Sequence, residues 1–82
     1  MNEYIATFYT HAGAIVSSRS LTRAGVANRM MPVPRKLSSS CGTCVRYQSA
    51  HPRSDLMDRE LEAAYRVDPD GGYVKLEAET EL

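Results

Sequence analysis

Tyr4-Ile5-Ala6-Thr7-Phe8-Tyr9 is the segment that most restricts how this chain can fold. Aromatic and β-branched side chains favour a pleated backbone, and here apolar groups fall on both sides of the two-residue repeat. A strand that is apolar on both faces belongs inside a sheet rather than at its edge, so the pattern predicts a central first strand. Thr10 then supplies an N-cap for a helix over His11 to Ala24, with Ala14, Leu21 and Ala24 on one face and Arg19 and Arg23 on the other. Gly25 is the stop signal.

Val26 to Met31 reads as a second strand, which Pro32-Val33-Pro34 ends because proline donates nothing to a sheet ladder. Arg35 to Ser40 is a polar, serine-rich loop leading to Cys41 and Gly42. Thr43 to Tyr47 alternates as a third strand, with Thr43, Val45 and Tyr47 on one face and Cys44 and Arg46 on the other. From Asp55, Met57, Leu61, Ala64 and Tyr65 recur at helical spacing, and Asp55/Arg59 and Glu62/Arg66 are four-apart pairs, so a second helix is expected there. Tyr65 to Val67 fits either the end of that helix or the start of a hairpin. Asp68 to Gly72 is a turn by composition, Tyr73 to Ala78 a last strand, and the acidic end from Glu79 to Leu82 a frayed terminus. The resulting order, β-α-β-β-α-β, predicts an α+β, ferredoxin-like fold: a four-stranded antiparallel sheet with two helices on one face.

A chain of 82 residues with one Phe and five Tyr makes one domain with a modest core, which a second copy in a homodimer would help to cover. No apolar run approaches the ~20 residues that cross a bilayer, and Met1 to Tyr9 lacks the charged and apolar regions of a secretion signal. A soluble, cytoplasmic protein without a membrane partner is the expectation. Ten Lys/Arg balance ten Asp/Glu, but unevenly: residues 1 to 54 carry seven cations and one acid. Arg35, Lys36 and Arg46 lie in that basic part, where they would favour an anion such as a thiolate, a phosphate or an acidic partner. No aromatic-plus-basic strand pair marks a nucleic-acid surface, and no glycine-rich phosphate loop, serine nucleophile motif or paired carboxylates are present.

The two cysteines sit together as Cys41-Gly42-Thr43-Cys44 and cannot staple distant parts of the chain. Their spacing is that of redox dithiols, yet in those enzymes the motif opens a helix, whereas strand follows here. It is also half of a zinc site, for which His11 and His51 are the only other soft ligands in the chain. A third reading makes both ordinary small residues of a turn and a strand. Ser38, Ser39, Ser40 and Gly42 can turn amides and hydroxyls toward an anion or toward Cys41 sulfur. His11, directly after the first strand, is a candidate acid or base beside that loop, while His51 reads as solvated.

The string Pro32-Val33-Pro34-Arg35-Lys36-Leu37-Ser38-Ser39-Ser40-Cys41-Gly42, with the apolar first strand running into Thr10-His11 and Ala24-Gly25-Val26 entering the second, resembles the DUF3343 family, labelled putative Se/S carrier-like. The resemblance runs from about Glu3 to Arg66. It implies a carrier rather than an enzyme with turnover of its own. In such a carrier a cysteine thiol holds sulfur or selenium as a persulfide-like adduct, received from a donor such as a cysteine desulfurase. The implied carrier residue is Cys41, with Arg35 and Ser38 to Ser40 shaping its loop and Cys44 as a candidate resolving thiol. A redox-responsive or zinc-binding interaction module built on the Cys pair is the alternative.

Overall fold

The computed structural model describes residues 1–76. Five strands, β1 (Asn2–Phe8), β2 (Asn28–Pro32), β3 (Thr43–Ser49), β4 (Leu61–Val67) and β5 (Tyr73–Lys75), form one antiparallel sheet in the order β2-β3-β1-β4-β5. Among the described residues a single α-helix, α1 (His11–Arg23), packs on one face, and a 3₁₀ turn spans Ser54–Leu56. The ferredoxin-like arrangement of four strands and two helices is therefore overturned. The strand expected over Tyr73 to Ala78 begins where the sequence placed it; Glu77, Ala78 and the acidic end lie outside the described residues.

β1 is central, and Tyr4 to Phe8 are all buried. Tyr4, Ala6 and Phe8 join Val45, Tyr47 and Ala64 beneath Ala14 and Leu21 of α1, with Leu76 completing this core. The rings of Tyr4 and Tyr47 stack with centroids 5.4 Å apart, and the Tyr47 hydroxyl donates to Pro52 O. Ile5 and Thr7 point to the other face. There Ile5 is flanked in register by Arg46 and Tyr65, and Thr7 by Cys44 and Ala63.

The helix is bounded by local chemistry. Thr10 Oγ1 accepts from the Gly13 amide at 3.0 Å, filling one orphan donor of the first turn. At the other end Gly25, at φ 78°, donates to Thr22 O, and Val26 donates to Leu21 O, the paired bonds of a Schellman motif. That stop returns the chain to the sheet, with Val26 against the core.

The expected second helix is replaced by the 3₁₀ turn and β4 for a reason that lies in β1. A central strand exposes hydrogen-bonding groups along two edges, β3 satisfies only one of them, and an unpaired buried edge is costly. Residues 61–67 satisfy the other, since Ala63, Tyr65 and Val67 alternate as a strand even though Leu61, Ala64 and Tyr65 also fit a helical repeat. Asp58 makes the turn into β4: its carboxylate accepts from the Glu60 amide at 3.0 Å, and its own amide donates to buried Ser17 Oγ at 2.8 Å. The four-apart pairs dissolve accordingly, with Asp55 meeting Arg53 and Arg66 meeting Asp68. Between Thr7↔Ala63 and Phe8↔Leu61 the register shifts, so Glu62 is an extra residue with no partner of its own on β1.

The turn at Asp58 to Glu60 lies hard against the start of α1. A Cβ built on Gly13 would fall 2.8 Å from Glu60 Cβ, which is too close for rigid neighbours. Gly13→Ala is therefore expected to lower the melting temperature in circular dichroism. An overpacking penalty of about 1–3 kcal/mol should outweigh the helix-propensity gain of about 1 kcal/mol.

Candidate functional site

One end of the sheet gathers the C-terminal ends of β1 and β2, the first residues of β3 and β4, and the N-terminus of α1. The loop from Val33 to Gly42 crosses this end. Val33 donates to Gly42 O at 3.1 Å, extending the β2–β3 ladder, and Leu37 donates to Pro34 O at 3.0 Å to close a turn carrying exposed Arg35 and Lys36. Beyond exposed Ser38, the loop reaches over two further strands. Ser39 Oγ donates to Phe8 O of β1 at 3.1 Å, and Ser40 donates both its amide and its hydroxyl to the Glu62 carboxylate of β4, at 3.0 and 3.1 Å. Gly42, at φ 75°, turns the chain back into β3.

Cys41 is the residue this path delivers. Its thiol is partly buried against the core, 3.5 Å from Thr43 O, to which it donates, and 4.0 Å from Ser39 Oγ. His11, the first residue of α1, lies at the same end of the sheet with Nδ1 3.3 Å from Thr43 Oγ1. The ring thus engages the residue two positions past the cysteine. Of the serines expected around sulfur, Ser39 meets it, its Oγ 4.0 Å from Sγ while donating to Phe8 O, whereas Ser40 gives its amide and hydroxyl to Glu62.

Both cysteines are free thiols, but their surroundings differ. Cys44 alternates onto the face away from α1, is fully buried, and donates to Pro32 O at 3.8 Å. Burial pushes its thiol from the ordinary 9.0 up to about 11; the Arg46 charge opposes that rise and the Cys41 thiol adds to it. A thiol so held supplies little thiolate near neutral pH, which weakens the resolving role the sequence suggested for it. Arg46 does not serve the loop either. Its guanidinium grips Glu3 through two 2.7 Å bonds, and this hydrogen bonding holds the Glu3 carboxyl below its usual range. Sequence proximity placed Arg46 beside the thiols, and its charge does reach Cys44, but its hydrogen bonds go to a carboxylate of β1.

Glu62 is the site residue that sequence reasoning missed, because the helical reading paired it with Arg66. The available signal was the alternation of Ala63, Tyr65 and Val67, which turns 61–67 into a strand starting beside the cysteine loop. Among the described residues no group of three or more His, Cys, Asp or Glu side chains is placed to hold a metal ion. His51 follows the far end of β3, away from Cys41. No helix among them is long and apolar enough to cross a membrane.

A match to known proteins takes in this loop. A family model described as "Putative Se/S carrier protein-like" matches residues 3–66. The chain belongs to that family. The matched region of the Se/S carrier-like family runs from β1 into β4, so it contains the Cys41 loop and Glu62 and leaves β5 outside. The chain is also similar to "Uncharacterized protein YtiA" of Escherichia coli (strain K12), 33% identical over 45 residues. That stretch is 55% of this chain and 53% of YtiA, so it spans about half the length of that relative. No solved structure matches.

Two outcomes follow from the contrast between the thiols. Under native conditions near neutral pH, iodoacetamide should label Cys41 and leave Cys44 until the protein is unfolded, as peptide mass mapping will read. Cys44 also shapes alkaline stability. A folded-state value raised above the unfolded one means that its contribution is fully present below the ordinary 9.0 and is lost as pH rises through about 11. The stability gap between wild type and Cys44→Ala in urea titrations should therefore narrow across that window. The Tyr47 phenol, also pushed up by burial, contributes to alkaline unfolding in both proteins.

Proposed function

We propose that this protein is a carrier of sulfur or selenium that uses the Cys41 thiol. The observation that carries the reading is the division between two free cysteines: one in a solvent-reaching loop at the sheet end, the other sealed in the sheet. Transfer between proteins requires a sulfur that a second protein can approach, and Cys41 meets that requirement while Cys44 does not. Membership of the Se/S carrier-like family supports the same reading.

The transfer balances without an added oxidant. Cys41 thiolate attacks the outer sulfur of a donor persulfide, R–S–SH; the bond between the two donor sulfurs breaks, R–S⁻ leaves, and Cys41 becomes Cys–S–SH. A selenium atom in the outer position moves in the same way. An acceptor thiolate then repeats the exchange and returns Cys41 to thiolate, so the chain is restored without net oxidation. A cysteine desulfurase, which bears such a persulfide, is the donor class that this chemistry fits. His11, whose Nδ1 lies 3.3 Å from Oγ1 of Thr43, two residues past Cys41, would serve as the acid or base of the exchange. Arg35 and Lys36, exposed on the same loop, offer a cationic surface to the incoming protein.

Intact-mass measurement after incubation with a cysteine desulfurase and cysteine tests this directly. Wild type and Cys44→Ala should each gain one sulfur atom that maps to Cys41, and Cys41→Ala should gain none. Equal loading of Cys41→Ala would refute the carrier role. Stoichiometric zinc in protein purified without chelator, with no sulfur gained, would favour a metal-binding module instead.

A further inference from the structure

We propose that Glu62 is a positioning residue for the Cys41 loop, acting as a carboxylate latch that sets where the thiol is presented. The inference rests on the carrier reading and extends it to a residue outside the cysteine motif. Two independent observations converge on Glu62. Its carboxylate receives both donors of Ser40, the residue immediately before Cys41, with Oε1 on the amide and Oε2 on the hydroxyl. It is also the extra residue of the β1–β4 register shift. A bulge re-aims one side chain out of strict alternation, and bulges concentrate beside functional sites. Here Leu61 takes the place opposite Phe8 and packs against the core, leaving Glu62 free to reach the loop beyond the sheet end.

The latch matters because it grips the backbone just before Cys41, whose thiol packs against the core and donates to Thr43 O. Among the described residues, the Cys41 thiol bonds to Thr43 O of β3, and the residues just before it are held by Ser39 to Phe8 and Ser40 to Glu62. Together they tie the residues before the thiol to two strands, β1 and β4. Glu62 has a second consequence. It occupies the amide and hydroxyl of Ser40, the residue immediately before Cys41, so the loop is held by an internal anion. Release of the latch would leave those donors free and let the loop swing.

Positioning predicts opposite effects on two reactions of the same sulfur. In Glu62→Ala, iodoacetamide should alkylate Cys41 about fivefold faster as the loop loosens, roughly the effect of one hydrogen bond. Sulfur transfer from a persulfide-bearing cysteine desulfurase should slow by about the same factor, because docking needs a fixed thiol. Glu62→Gln keeps an acceptor for the Ser40 amide and should restore most of both rates. Combining Ser40→Ala with Glu62→Ala should add little beyond Glu62→Ala alone, the non-additivity of residues sharing one contact. Circular dichroism melts confirm that each variant is folded, and amide exchange at Ser40 reports the latch without any transfer assay. Unchanged alkylation and unchanged Ser40 exchange in folded Glu62→Ala would overturn the latch. Failure of wild type to accept sulfur would overturn the carrier reading, and alkylation and exchange would still decide whether Glu62 holds the loop.

Discussion

Everything in this fold answers to the demands of β1. Five consecutive buried residues, Tyr4 to Phe8, need apolar cover on one face, close-fitting neighbours on the other and a ladder partner along each edge. α1 meets the first demand, and the cross-strand neighbours Arg46, Tyr65, Cys44 and Ala63 meet the second. β3 and β4 meet the third. The site is a by-product of that solution: placing β3 and β4 antiparallel on either side of β1 brings the entrance of both to the strand's C-terminal end. The cysteine loop and Glu62 meet there.

How much of this was legible in the sequence follows from how local each signal is. The Thr10 cap, the Gly25 stop and the alternation after Thr43 act over a few residues, and α1 and β3 begin where those signals place them. β2 starts later than expected, at Asn28, and runs through Pro32, because the β3 ladder continues past the proline to Val33. The stretch from Asp55 to Arg66 failed because a short, alanine-containing run satisfies both periodicities, and the choice is made by an edge of β1 more than fifty residues away. The site splits along the same line. Cys41 and its serine loop stand out as a string, but their partners do not: Ser39 finds Phe8 at a separation of 31 residues and Ser40 finds Glu62 at 22. Arg46 shows the converse, near the cysteines in sequence yet bonded to Glu3 at a separation of 43.

The two cysteines illustrate how a strand assigns chemistry. A spacing of two residues suggests a matched pair, but Cys41 precedes the left-handed Gly42 and Cys44 follows inside the ladder. One is left in the loop at the sheet end and the other is set between Met31 and Thr7 on the neighbouring strands as a small apolar group. The same motif at the start of a helix would set the first thiol at the helix N-terminus, with the second one turn behind it. Its place at the start of a strand separates them instead.

The strand order also bears on how the chain reaches its native state. β1 is made first, yet its ladder partners lie far downstream: Asn2 pairs with Ser49, and Glu3 with Val67. Such non-local pairing slows folding, because long loops must close before any contact rewards them. During synthesis the most apolar strand therefore emerges with both edges open and stays half-satisfied until β4 has left the ribosome. Edges of that kind are templates for wrong pairing. The feature that organises the finished sheet is thus also the one that exposes the folding chain to wrong pairing until both of its ladder partners are in place.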